Sequence, residues 1–287
     1  MSKKLTKVEF TNLDKILYPE LKITKAQVIE YYIKIAPQML EFLRNRPAVL
    51  TRFPDGVDKE GFYEKDKPMG TPSWVKLSKR YSETARREID YILCDDLDTL
   101  IWLGNLAAIE IHMTLSEADS FETPNVVLFD VDPEPPLGFD DVVEVSLLLK
   151  EKLDVLGLRS YAKTSGKKGM HVVVPIKEGY TFQQTRDFAH VIGKQLAGES
   201  KHVVSEFPRS RDRGTVFADY LQNSHGRTMI CPYSLRATSK ATVSTPLDWR
   251  EVKKGIKPED FNLFSAVKRE NNPWEGMLKD RQRLEVS

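Results

Sequence analysis

Two aspartates, Asp130 and Asp132, stand at the end of an apolar run, Asn125-Val126-Val127-Leu128-Phe129-Asp130-Val131-Asp132-Pro133. The run reads as a buried strand that stops at the proline. Residues i and i+2 of a strand share a face, so the two carboxylates project together from one sheet edge. Like charges that close repel, and each raises the pKa of the other unless a cation lies between them. The cation such oxygens suit is hard, Mg²⁺ or Mn²⁺, and such ions often carry phosphates. An isolated Asp-x-Asp is about as often a solvated strand end, so the pair needs support from elsewhere. A third carboxylate, Asp219, lies in the β-rich run Thr215-Val216-Phe217-Ala218-Asp219-Tyr220-Leu221. It would complete a cage for two ions, roughly 3.5–4 Å apart in two-metal sites. On its own, Asp219 reads as a salt-bridged strand acid.

A second group of residues has phosphate chemistry. Thr164-Ser165-Gly166-Lys167-Lys168-Gly169-Met170-His171 gathers a hydroxyl, two ammonium groups, flexible backbone and an imidazole. Such a turn offers backbone N–H and side-chain donors to a triphosphate, although it lacks the Gly-x-x-x-x-Gly-Lys-Ser/Thr order of a P-loop. A solvated lysine-rich hairpin is the plainer alternative. Charge is unevenly spread along the chain. Residues 88–149 hold 15 acidic residues and no Lys or Arg, while the flanking segments are basic. That distribution suits a metal site beside polyanion-binding surfaces, and equally an uneven surface.

The elements that must position these groups follow from periodicity and turn chemistry. Thr24 with Gln27 forms a capping-box pattern that starts a helix running to about Leu43. Val49-Leu50-Thr51-Arg52-Phe53 reads as a strand ending at Pro54-Asp55-Gly56, and Ala107–Met113 as a short strand carrying His112. Asp140 to Leu156 and Thr181 to Leu196 have helical spacing. Ser160–Ser165 leads into a Gly- and Lys-rich turn, and His171–Pro175 and Thr215–Leu221 are further strands. Helices and strands alternate throughout, which points to an α/β or α+β layered core. Two cysteines, Cys94 and Cys231, are too few for a disulfide framework and lack zinc spacing. No segment has the length or apolarity of a membrane span, and the start carries no signal-peptide run, so a reducing cytoplasm is expected.

Taken in order, the motifs resemble a known family. His112, Phe129-Asp130-Val131-Asp132-Pro133, Thr164-Ser165-Gly166 with His171, Asp219-Tyr220-Leu221-Gln222-Asn223, Pro232-Tyr233-Ser234-Leu235-Arg236-Ala237 and Ser244-Thr245-Pro246-Leu247-Asp248-Trp249 look like the polymerase domain of bacterial and archaeal ligase D. That domain belongs to the archaeo-eukaryotic primase superfamily. Phe10–Pro19 and Arg52–Val57 match it too, and the resemblance spans essentially the whole chain. It implies a primase-like core with an antiparallel or mixed sheet flanked by helices, plus an N-terminal αβ lobe. The chain would be one primase-polymerase domain over 1–287, with a lobe of about 1–90 that binds DNA ends and a catalytic lobe of about 91–287.

The resemblance also implies an activity: template-directed nucleotidyl transfer in non-homologous end joining, filling short gaps with a preference for ribonucleotides. Asp130, Asp132 and Asp219 would hold two divalent ions, Mn²⁺ in preference to Mg²⁺, with His112 beside them. Ser165, Lys168 (less surely Lys167), His171 and Arg236 would grip the triphosphate of an NTP or dNTP, and Gln222 would lie near its sugar. Lys15 and Lys25 would recognise a downstream 5′-phosphate, and Phe62 and Tyr63 would stack on the template. Arg209, Arg211 and Arg213 would form a basic loop near the primer end. The ligase and phosphoesterase modules of ligase D are absent, which implies a stand-alone enzyme or an excised domain, the start at Met1 favouring the former. Its partners would be gapped or broken DNA, a Ku-like end-binding protein and a separate ligase, with no membrane, in a prokaryotic cytoplasm near the nucleoid. Thr51 departs from the family, whose members often carry a further basic residue there. Two rival readings are a non-catalytic DNA-end-binding module and a metal-dependent nuclease. The three aspartates argue against the first, and the triphosphate-loop residues argue against the second.

Overall fold

The computed structural model describes residues 6–82, 85–206 and 214–284. Two six-stranded sheets form its frame, both predominantly antiparallel, with helices packed on them. The first sheet has the order Val203–Val204, Val216–Asp219, Val126–Pro133, Met170–Pro175, Tyr161–Thr164, Pro246–Leu247. Its single parallel pairing is between Val203–Val204 and Val216–Asp219. The second sheet runs Thr228–Ile230, Ala108–Thr114, Pro47–Arg52, Arg87–Leu93, Lys76–Ser82, and Phe62–Glu64 pairs with Pro47–Arg52. It therefore draws strands from both sides of residue 90.

Strand periodicity decides what each face of the first sheet meets. Val127, Phe129 and Val131 pack with Val142, Leu149, Phe188 and Leu196 of the helices Phe139–Val155 and Phe182–Glu199. Val126 and Leu128 face the other way and join the core built around the helix Lys25–Leu43. Asp130 and Asp132 continue the line of Val126 and Leu128, so they leave the helix-covered face and turn toward the second sheet. The neighbouring strand Met170–Pro175 is divided in the same way. Met170, Val172 and Val174 pack under the helices, whereas Val173 joins the other core and His171 shares its face.

The caps follow the sequence closely. The Lys25–Leu43 helix starts at Thr24, whose hydroxyl accepts from the Gln27 N–H while the Gln27 side chain accepts from the Thr24 N–H. Thr181 and Gln184 repeat the capping box at Phe182–Glu199. One expected boundary is corrected. The strand expected over Thr215–Leu221 is regular only at Val216–Asp219, and Tyr220–Asn223 is a 3₁₀ turn. The Asp219 carboxylate accepts from the Leu221 N–H at 2.8 Å and caps that turn, which ends the strand. Among the described residues no helix is long and apolar enough to cross a membrane.

Candidate active site

The site is assembled by register. Lys163, His171, Asp130 and Asp219 are directly paired across four adjacent antiparallel strands, so their side chains form one row on one face. Asp132 stands two residues from Asp130 on that face. The segment Tyr220–Asn223 is clipped to the same strand. The Asn223 side-chain amide exchanges hydrogen bonds with the Leu128 backbone at 2.6 and 2.8 Å, which leaves Gln222 at the pocket wall. The resulting cavity, about 410 Å³, is lined by His112, Asp130, Asp132, Ser165, Lys167, Lys168, His171, Gln222 and Arg236 among others. Each sheet contributes, so the pocket is a cleft between them.

Within the row, His171 Nε2 lies 3.2 Å from Asp130 Oδ1. Burial, with the Lys163 charge, pushes the His171 pKa down to about 4, so the ring is neutral near pH 7. A neutral ring that donates from Nε2 to Asp130 keeps Nδ1 as an acceptor, and Nδ1 is buried without a hydrogen-bond partner. Burial would raise Asp130, but His171, Lys163 and Arg236 together hold the carboxyl below its ordinary value. Asp132 goes the other way. Burial and the adjacent Asp130 charge push it up to about 6. Burial, with Asp130 adding to it, also raises Asp219. Its two oxygens accept from the Leu221 N–H and, at 3.3 Å, from the Gln222 amide.

These oxygens suit hard divalent ions. Two neighbouring carboxylates on one face, one of them driven toward protonation by burial and by the other, are a donor set that a divalent cation would settle. Among the described residues no three His, Cys, Asp or Glu side chains converge as a ready metal-binding group. The Asp219 carboxylate is turned to its own capping turn.

The loop after Thr164 is a closed hairpin. Ser165 N–H donates to the Gly169 carbonyl at 2.9 Å, and the Ser165 hydroxyl accepts from the N–H groups of Lys167 and Gly169. Ser165 also lines the cavity. Both glycines are dictated by contact. Gly166 has φ +74°, and a Cβ there would sit 2.6 Å from Arg236 Cγ. A Cβ on Gly169 would sit 2.1 Å from Asp132 Oδ1. The two lysines diverge. Lys168 Nζ is 3.7 Å from both Asp132 and Glu134 carboxylates, while Lys167 Nζ reaches across to Glu110 at 3.0 Å. Thus the cations of the later basic segment meet the carboxylates of the acid-only stretch.

Arg236 is buried. Its Nε donates to Glu110 Oε1 at 3.1 Å and its Nη1 to the Ser165 carbonyl at 3.0 Å. The Tyr18 hydroxyl donates to the Arg236 carbonyl, and that of Tyr31 to the Tyr233 carbonyl, which ties the segment to the Lys25–Leu43 core. His112 lies 3.7 Å from Glu110 Oε2 and edge-on to Tyr63, with ring centroids 6.2 Å apart. Burial lowers the His112 pKa despite the Glu110 carboxylate. Burial would raise Glu110, but His112, Arg236 and Lys167 hold it well below the carboxylate range.

Two residues in this arrangement had no sequence assignment: Glu110 and Lys163. Glu110 was legible as the i−2 partner of His112 on a strand. Lys163, fully buried with Nζ donating to Ser244 Oγ at 2.6 Å, was legible only through the pairing with His171.

Away from the pocket, Lys15 and Lys25 come together. The Lys25 N–H donates to the Lys15 carbonyl at 2.8 Å, and burial, with the Lys15 charge, lowers the Lys25 pKa. Lys25 Nζ donates to the Thr11 carbonyl at 2.6 Å, and Lys15 Nζ pairs with the exposed Asp55 at 2.6 Å. Phe62 and Tyr63 are exposed, which removes core packing as their explanation. The Arg52 guanidinium covers the Phe62 ring at 5.0 Å. Arg209, Arg211 and Arg213 lie outside the described residues.

The model of the family "LigD, primase-polymerase domain" matches residues 24–274. The chain is 34% identical over 265 residues to the bifunctional non-homologous end joining protein LigD of Bacillus subtilis, covering 92% of this chain and 42% of that protein. It is 29% identical over 287 residues to the multifunctional non-homologous end joining protein LigD of Pseudomonas aeruginosa, covering 98% and 34%. The chain thus spans well under half the length of these relatives. The polymerase domain from Mycobacterium tuberculosis ligase D, solved in complex with DNA, superposes with a TM-score of 0.88 at 28% identity, covering 96% of this chain and all of that one.

Proposed function

The chain belongs to the LigD primase-polymerase domain family and is a nucleotidyltransferase of the polymerase kind; from that premise we propose that it extends DNA primers across short gaps at broken ends. The observation that carries this reading is the cross-strand row His171-Asp130-Asp219 with Asp132 on the same face, opposite the cations of the triphosphate loop. Such a site has one wall for the reacting hydroxyl and another for polyphosphate.

In the reaction the primer 3′-oxygen forms a bond to the α-phosphorus of the nucleotide. The bridging bond between the α- and β-phosphates breaks, and pyrophosphate leaves. Asp130, Asp132 and Asp219 are the residues that would hold two divalent ions, Mn²⁺ above Mg²⁺. When bound, these ions supply positive charge that lowers the pKa of the attacking hydroxyl and offsets charge on the leaving pyrophosphate. The protein's own groups orient the substrate. Arg236, Lys168, His171 and the Ser165 hydroxyl meet the phosphate chain, and Gln222 reaches the sugar side.

The same reading gives Lys15 and Lys25 the role of recognising a 5′-phosphate downstream of the gap. A terminal phosphate carries more charge than a diester, so two adjoining ammonium groups favour it. Exposed Phe62 and Tyr63 serve the template by stacking. A preference for ribonucleotides, a role in non-homologous end joining, a Ku-like partner, a separate ligase and a nucleoid-side cytoplasmic location complete the proposal.

The test is extension of a labelled primer across a short gap with Mn²⁺, with NTPs or dNTPs, and with or without a downstream 5′-phosphate. Templated addition that favours NTPs and improves with the phosphate is the expected result. Binding of the phosphorylated gap with no addition would transfer the chain to the end-binding reading.

A further inference from the structure

Glu110 is an anomaly behind a pocket suited to polyphosphate. It is buried, it is an anion, and it touches Arg236 and Lys167, two cations that line the cavity. A carboxylate in that position repels a triphosphate unless its charge is already engaged in holding something else. Its contacts say what it holds. One oxygen, Oε1, accepts from Arg236 Nε at 3.1 Å, from the Ala237 N–H at 3.2 Å and pairs with Lys167 Nζ at 3.0 Å.

The two cations differ in how much they depend on it. Arg236 is fixed by burial and by its second bond, to the Ser165 carbonyl. The Lys167 side chain is 46% exposed on a flexible stem, and Glu110 is the carboxylate that draws it inward. Confining a free lysine costs side-chain entropy, which the pairing offsets before any ligand arrives. Glu110 also comes from the second sheet, whereas Lys167 comes from the hairpin of the first. The pairing therefore ties the hairpin of the first sheet to a strand of the second.

We infer that Glu110 is a positioning residue that preorganises Lys167 and Arg236 for the polyphosphate chain of the nucleotide, and that Lys167 is thereby a phosphate ligand equal in weight to Lys168. This rests on the polymerase reading of the site. It gives a role to a residue outside the aspartate row and requires no contact between Glu110 and the substrate.

The test is calorimetric binding of inorganic tripolyphosphate, without metal, to the unaltered chain, Glu110→Gln, Glu110→Asp, Lys167→Ala and the Glu110→Gln/Lys167→Ala double variant. Glu110→Gln keeps an acceptor for Arg236 and Ala237 but loses the charge that draws Lys167. It should weaken tripolyphosphate binding about tenfold and raise the KM for NTP alike, with kcat changed less than threefold. Glu110→Asp, which keeps the charge, should recover part of the loss and guards against a folding defect in Glu110→Gln. In the double variant the loss should be no greater than in the worse single variant. Binding by Glu110→Gln that is unchanged or tighter, or losses that multiply in the double variant, would overturn the inference. Failure of the unaltered chain to bind tripolyphosphate or to extend a primer would instead sink the polymerase reading itself.

Discussion

At the scale of single residues, the site depends on charges brought close together and on the space made for them. Asp132 has its pKa pushed up to about 6 by burial and by Asp130, against an ordinary aspartate value of about 3.9. The folded state therefore takes up a proton on this group as pH falls through about 6, before the unfolded chain does. Stability from that proton is fully present below about pH 3.9 and lost as pH rises through about 6. A divalent ion needs the unprotonated form, so its affinity should drop as pH falls from 7 to 5, with proton release on binding near pH 6. Calorimetric Mn²⁺ titrations in buffers of differing ionisation heat would detect this. An affinity flat across that window would rule the aspartate pair out as the cation site. Gly169 supplies the space. A methyl at Gly169 would meet Asp132 Oδ1 at 2.1 Å and the Val131 carbonyl at 2.4 Å. Gly169→Ala should cost about 1–3 kcal/mol of stability through overpacking and weaken Mn²⁺ binding. Unchanged thermal unfolding together with unchanged Mn²⁺ affinity would contradict the close approach.

At the scale of elements, register does most of the positioning. The alternation in Val126-Val127-Leu128-Phe129-Asp130-Val131-Asp132 was legible because period-2 burial needs no tertiary information, and both aspartates fall on the line of Val126 and Leu128. The Thr24 and Thr181 caps were legible for the same local reason. The end of the Val216–Asp219 strand was not. Tyr220 and Leu221 favour a strand by type, and only the Asp219 side chain, capping the next turn, overrides that propensity. The strands Lys76–Ser82 and Arg87–Leu93 carry many charged and exposed residues, so no apolar run marks them. The row Lys163-His171-Asp130-Asp219 depends on pairing between segments far apart in sequence, which no window of residues displays.

Two predictions belong to this scale. The start of the Lys25–Leu43 helix brings Lys15 and Lys25 together. Replacing both with alanine should remove the advantage of a 5′-phosphorylated gap while sparing extension of a simple primer. Equal weakening of both substrates would make them general backbone contacts. Tyr63 projects from the Phe62–Glu64 strand toward His112 and solvent. Tyr63→Ala should reduce affinity for a template with an unpaired base by about 1–3 kcal/mol, with fully paired duplex as the control. Equal loss on both would deny it a stacking role.

For the whole molecule, the active cleft exists only because two sheets face each other. The first provides the aspartates and the triphosphate hairpin, and the second provides His112, with Glu110 behind it paired to Lys167 and Arg236. The family likeness was legible from ordered motifs, whereas the long-range contacts of Glu110 were not, because they join residues 110, 167 and 236. The central claim is that the aspartate row is a nucleotidyl-transfer centre rather than a binding surface. Its most direct test is single-turnover primer extension by Asp130→Asn, with gapped-DNA binding measured on the same preparation. The account predicts at least about a hundredfold loss of extension, the scale of several kcal/mol of lost charge stabilisation, with DNA affinity within a few-fold of the unaltered chain. Extension that persists at full rate in that variant would contradict it.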